Sequence, residues 1–234
     1  MSFSIVGIAP LSRWLAASAI GLVAIIYGIS PGFTPFRVRT EISISGTLPV
    51  LAWVLKKTVV LVGMMGSGKT AVGGALARIL GVPFLDSDTE IVRAANMSIA
   101  EVFARGDGEA FFRAKETQVL TRLLDTRRGI LSTGGGAYLS EANRRIIAEK
   151  GVAVWLRADL QLLWNRVKHK TTRPLLRTAN PYATLKALCE TREPVYALAD
   201  LVVDARADYS VDDMAGQVLK PLLTRPDVLE AKRR

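Results

Sequence analysis

The chain has 234 residues, half of them hydrophobic, with 31 Lys and Arg against 21 Asp and Glu for a formal net charge of +10. That is enough for one α/β domain with a sizeable core plus an appendage. Cys189 and His169 are the only cysteine and histidine, which excludes an intrachain disulfide and a Cys/His zinc cluster. A lone cysteine fits a reducing compartment, and any metal should be a hard, oxygen-ligated ion such as Mg²⁺. The positive charge raises nucleic acid as a partner. However, no basic block is longer than Lys232-Arg233-Arg234, and aromatics do not interleave with the cations, so no specific nucleic-acid site is expected.

Residues 1–56 differ in character from the rest. No charged side chain occurs between Trp14 and Phe36, and Trp14–Tyr27 is almost continuously apolar before Pro31 and Pro35. The stretch over residues 14–30 approaches the ~17–20 residues of a membrane span. Arg13 precedes it and Arg37, Arg39, Lys56 and Lys57 follow, so a span would leave the remainder in the cytoplasm. Three readings stay open: a membrane anchor, an uncleaved signal-like segment, or codons upstream of the native start. A cleaved secretory signal is disfavoured, because no clear small-residue cleavage site follows the run.

Thr58–Val62 is an apolar, β-branched run, and Gly63-Met64-Met65-Gly66-Ser67-Gly68-Lys69-Thr70 follows it directly. A buried strand, a glycine turn and a helix starting at Lys69-Thr70 form the context of a phosphate-binding loop. Backbone N–H groups would hold the anion, Lys69 would reach the β- and γ-phosphates, and Thr70 would ligate Mg²⁺. Further strand-like runs are expected at Val82–Leu85, Gly129–Ser132, Val152–Leu156 and Leu201–Val203. Amphipathic stretches at Thr89–Ala95, Glu109–Asp125, Glu141–Glu149 and Leu160–Lys168 alternate with them. The alternation predicts a parallel sheet with helices on both faces.

Four segments at strand ends or helix starts could carry chemistry. Asp86-Ser87-Asp88 would project two carboxylates in similar directions from an extended segment, one toward a Mg²⁺ water and one toward a substrate hydroxyl. An N-cap pair for a helix near Thr89 explains them equally well. Arg113 and Glu116 lie three apart, so the carboxylate could aim the guanidinium at a substrate anion. Without further context an ordinary surface pair is preferred. Gly134-Gly135-Gly136 is either a ligand wall at a strand end or a loose loop. Arg173, before Pro174, suits a cation closing over a γ-phosphate, or a commonplace turn.

In this order the segments resemble shikimate kinase, a P-loop kinase of the nucleoside-monophosphate-kinase type. The resemblance runs from about residue 57 to about residue 220. Its motifs are Gly63–Thr70, Phe84–Asp88, Ser98–Phe103, Gly108-Glu-x-x-Phe-Arg113, Gly134–Ala137, Arg173-Pro-Leu-Leu176 and Arg192-x-Pro-x-Tyr196. It implies a three-layer α/β fold with a central five-stranded parallel sheet, helices on both faces and a mobile lid near residues 168–180. A kinase domain is accordingly expected over 57–234, with 1–56 as a hydrophobic N-terminal extension on which the resemblance says nothing. The implied activity is ATP-dependent phosphorylation of the 3-hydroxyl of shikimate, in aromatic amino acid biosynthesis.

The family roles fall on matching positions. Gly66, Ser67, Gly68, Lys69, Thr70 and Ala71 would wrap the nucleotide phosphates, Arg166 would pack on adenine, and Arg173 would be the lid arginine. Asp88, Arg113, Gly135 and Arg192 would bind shikimate, the two arginines its carboxylate and Asp88 its ring hydroxyls. Thr70 would ligate Mg²⁺ directly and Asp86 through water, while Lys69, Asp88 and Arg173 would be catalytic. One residue is inserted near Gly106-Asp107, in a helix connection. ATP and shikimate are the expected partners and a cytoplasmic monomer the expected state. A related acceptor kinase, such as a gluconate kinase, and a catalytically silent nucleotide-binding regulator remain as alternatives.

Overall fold

The computed structural model describes residues 52–169, 174–176 and 178–232. Strand β2 (Thr58–Val62) is its spine: all five residues are buried and Val59–Val62 are wholly enclosed. A β-branched run of this kind is stable only with both faces covered. Strand β4 (Ile130–Ser132) pairs with it on one side and β5 (Gly151–Arg157) on the other. Strands β3 (Phe84–Asp86) and β6 (Leu201–Asp204) complete a five-stranded parallel sheet in the order β3-β4-β2-β5-β6.

Eight α-helices are present among the described residues. They are α1 (Lys69–Leu80), α2 (Ser87–Ala95), α3 (Ile99–Ala104), α4 (Gly108–Thr126), α5 (Glu141–Lys150), α6 (Leu160–Val167), α7 (Pro181–Tyr196) and α8 (Val211–Leu222). Helix α1 packs against α8, while α4 packs against α2, α3 and α5. The parallel order puts the carboxyl ends of β2, β3, β4 and β6 along one edge, where open α/β sheets bind ligands. All five expected strands are present. Helices α3, α7 and α8 were not among the expected elements; α7 contains Pro194 and α8 contains Pro221, residues that usually signal a helix end. Gly106-Asp107 falls in the connection between α3 and α4.

A separate antiparallel pair joins β1 (Ala52–Leu55) to β7 (Leu229–Lys232), and Lys56 meets Glu230 at 2.8 Å beside it. Strand β1 thus lies in the span that the sequence reading assigned to the extension, just before β2. No helix among the described residues is long and apolar enough to cross a membrane. The apolar run at 14–30 lies outside the described residues, as do Arg173 and the 170–173 part of the expected lid.

Candidate active site

The loop between β2 and α1 is shaped for an anion. Gly66 (φ +84°) and Gly68 (φ +100°) adopt left-handed backbone angles that a side chain would strain. Gly66 is also closed off by Val167, whose Cγ1 would lie 2.7 Å from an added Cβ. Gly68 is the N-cap of α1 yet offers no side-chain cap, and the first turn carries no acid. The N-terminal amides of α1 and their positive helix end are thus directed at a ligand. Lys69 is buried, its Nζ donating to the carbonyls of Gly63 (2.8 Å) and Met64 (2.9 Å) across the loop.

Three oxygens converge beside the loop. Thr70 Oγ1 lies 3.4 Å from Asp86 Oδ2 and 3.3 Å from Ser132 Oγ. Asp86 does two jobs, because its Oδ1 also accepts from the Thr89 amide (3.1 Å) as the N-cap of α2. The helix starts at Ser87, so Asp88 stands in its first turn and not on the extended segment that the sequence reading assumed. Both carboxylates nevertheless line one cavity of about 430 Å³. The oxygen donors suit a hard divalent ion that keeps water and phosphate ligands. Among the described residues no group of three or more His, Cys, Asp or Glu forms a metal cage.

The glycine wall closes the other side. An added Cβ on Gly134 would meet Asp88 Oδ1 at 2.9 Å and Glu116 Oε1 at 3.3 Å. On Gly135 it would lie 3.7 Å from both Gly63 O and Met65 N and 3.9 Å from Arg192 Nη1. On Gly136 it would strike Arg113 Nη1 at 2.6 Å. At Gly134 and Gly136 neighbouring side chains already fill the space, whereas at Gly135 an added Cβ would make only ordinary contact. Arg113 Nη1 donates to Glu116 Oε2 at 2.8 Å, and Glu116 is 1% exposed. A buried partner fixes the guanidinium as an exposed one would not, so the pair is more than a surface contact. Burial pushes the Glu116 carboxyl above its usual range, with Arg113 pulling it down and Asp88 pushing it up.

Beside the phosphate-binding loop, Arg166 lines the cavity and donates Nη1 to the carbonyls of Gly66 and Ser67, 3.3 Å each. Ala71 lines it as well. Ser132, Arg206 and Tyr209 line the same cavity; sequence reasoning assigned none of them a role, although the family resemblance implies a late nucleotide contact near Asp204-Ala205-Arg206 without fixing its residue. Ser132 ends β4, and Arg206 and Tyr209 follow β6, so the strand-end rule was the available signal. Arg206 sits 5.5 Å from the Tyr209 ring centroid.

The shikimate kinase family model matches residues 65–223. The chain belongs to the shikimate kinase family. It is 66% identical over 176 residues to the shikimate kinase of Cereibacter sphaeroides, covering 75% of this chain and 87% of that one. It is 64% identical to that of Ruegeria pomeroyi, covering 75% and 90%. Among solved structures, shikimate kinase from Acinetobacter baumannii in complex with shikimate superposes with a TM-score of 0.68 at 36% identity, covering 73% of this chain and 94% of that one. The Aquifex aeolicus shikimate kinase gives 0.63 at 31%, covering 72% and 97%. Membership in the shikimate kinase family agrees with the three-layer P-loop fold, a nucleotide as phosphoryl donor and use of a divalent metal.

Proposed function

We propose that this chain transfers the γ-phosphoryl group of ATP to the 3-hydroxyl of shikimate, the family's step in aromatic amino acid biosynthesis, and that the groups divided between loop and glycine wall carry it. The observation that carries this reading is the meeting of Arg113, Arg192 and Asp88 along Gly134–Gly136, a wall that also borders the phosphate loop. Two cations and one carboxylate suit a hydroxylated carboxylic acid. The 66% identity to a shikimate kinase favours shikimate over gluconate as that acid. The presence of Lys69, Thr70, Asp86, Asp88, Arg113 and Arg192 speaks against a silent regulator.

Phosphoryl transfer asks the protein for alignment and for neutralisation of developing charge. Gly66–Ala71 wrap the nucleotide phosphates and Arg166 packs toward the adenine side. Lys69 leaves its carbonyl partners to meet the β- and γ-oxygens, and Arg173 supplies a second cation from the lid. Thr70 would hold Mg²⁺ directly and Asp86 through water, and the ion, when bound, supplies positive charge at the phosphates. Arg113 and Arg192 bind the shikimate carboxylate against Gly135. Asp88 orients the 3-hydroxyl and accepts its proton. The need for ATP supports a cytoplasmic kinase domain, and the pairing of β1 with β7 extends that domain back from residue 57 to residue 52.

Initial-rate kinetics on Arg113→Ala test the division. The KM for shikimate should rise far more than that for ATP; equal effects on both would overturn it.

A further inference from the structure

We propose that the Tyr196 hydroxyl is a positioning group for the acceptor pocket, holding the Gly135–Gly136 peptide in the one orientation that binds shikimate. The proposal rests on reading Gly134–Gly136 as the shikimate wall.

Tyr196 ends α7, one turn after Arg192, and is fully buried with its ring 6.1 Å from that of Trp155. Its hydroxyl lies 2.5 Å from the Gly135 carbonyl and 3.8 Å from Met64 Sδ in the phosphate loop. A phenol donates one proton, and the distances assign it to the carbonyl. Burial pushes the phenol up to about 12, against the pull of Arg192, so the donor stays protonated through the physiological range.

The neighbouring carbonyls show why one bond matters. Gly134 O accepts from the Ala137 amide (3.1 Å) and Gly136 O from the Leu139 amide (3.0 Å). With Tyr196 on Gly135 O, each of the three wall carbonyls has a protein donor. The peptide unit is planar and trans, so a carbonyl turned one way sends the N–H of the same unit the other way. The Gly135 and Gly136 amides are therefore directed away from those donors. The outer two carbonyls are held by backbone in a tight turn, whereas the middle one is held by a side chain. Glycine on both sides of that middle peptide removes the steric bar to a flip. Tyr196 is the group that prevents it, and the helix carrying it also carries Arg192.

The test is Tyr196→Phe, which keeps the ring and deletes the donor. With folding checked by circular dichroism, the KM for shikimate should rise about five- to tenfold, the scale of one lost hydrogen bond to a buried group. The KM for ATP should stay within about twofold and kcat should fall less than the shikimate KM rises, a split that general loosening would not give. An unchanged shikimate KM, or equal changes for both substrates, would overturn the proposal. A second measurement does not depend on the folding of that variant. 3-Fluorotyrosine placed at 196 in the otherwise unchanged chain should shift its ¹⁹F resonance on adding shikimate; a resonance unmoved by saturating shikimate would overturn the proposal. A wild-type chain that turned over no shikimate would instead overturn the reading of the wall itself.

Discussion

Gly136→Ala isolates the link between the glycine wall and Arg113. Gly136 has φ −93° and ψ −17°, a right-handed conformation that alanine adopts freely. The perturbation is therefore the methyl group alone. Built in place, it would lie 2.6 Å from Nη1, 2.8 Å from Nη2 and 3.0 Å from Cζ of Arg113. Comfortable contact begins at about 3.5 Å, so the guanidinium must retreat by roughly 1 Å. That retreat stretches the 2.8 Å bond to the buried Glu116 and moves the fork away from the acceptor. A charge-assisted bond contributes about 1.5–3 kcal/mol. Arg113 is 40% exposed, so solvent screening reduces the loss to about 1–2 kcal/mol. At 1.4 kcal/mol per tenfold, the KM for shikimate should rise about 5- to 30-fold. Initial rates measured against each substrate at saturation of the other give the answer. The KM for ATP should hold within about twofold, and the thermal unfolding midpoint should fall only modestly, because the restraint alanine puts on the unfolded chain, about 0.4–1 kcal/mol, offsets part of the loss at Glu116. A shikimate KM unmoved by the methyl would refute the placement of Arg113 against the wall.

Lys69→Ala removes the buried ammonium that bridges Gly63 and Met64, and turnover should fall by orders of magnitude while shikimate binding persists. Near-normal kcat in a steady-state assay would contradict the phosphate role. Glu116→Gln should change the pH dependence of stability. The folded chain holds the Glu116 proton more tightly than the unfolded chain, so this group lowers stability as pH rises through a window opening at the ordinary value of 4.5. In urea titrations across that window the difference between variant and wild type should therefore move in favour of the variant as pH rises. Parallel curves would contradict a buried carboxylate at this position.

The sheet was legible because burial on both faces demands continuous apolar, β-branched runs, and Thr58–Val62 is one. The phosphate loop was legible because its glycines and Lys69 are adjacent in sequence. Asp86 looked equally like a cap and a metal-side group, and its two oxygens do both: Oδ1 caps Thr89 and Oδ2 faces Thr70. Asp88 was placed on an extended segment because cap strength does not fix where a helix begins. The weight of the Arg113–Glu116 pair was hidden, since spacing on a helix shows that two residues meet but not that one of them is enclosed. Helix α7 was obscured by Pro194, which tertiary packing tolerates in its last turn. Arg206 and Tyr209 follow the carboxyl end of β6, where the strand-end rule points, but which residues of the β6–α8 connection reach the cavity depends on its path in the fold.

The most direct measurement is coupled ADP release by the purified chain with ATP and Mg²⁺, run with shikimate, with gluconate and with neither. Shikimate should support turnover to shikimate 3-phosphate, with the other two conditions near background. Turnover with gluconate matching that with shikimate, or nucleotide binding without turnover of either, would contradict the assignment.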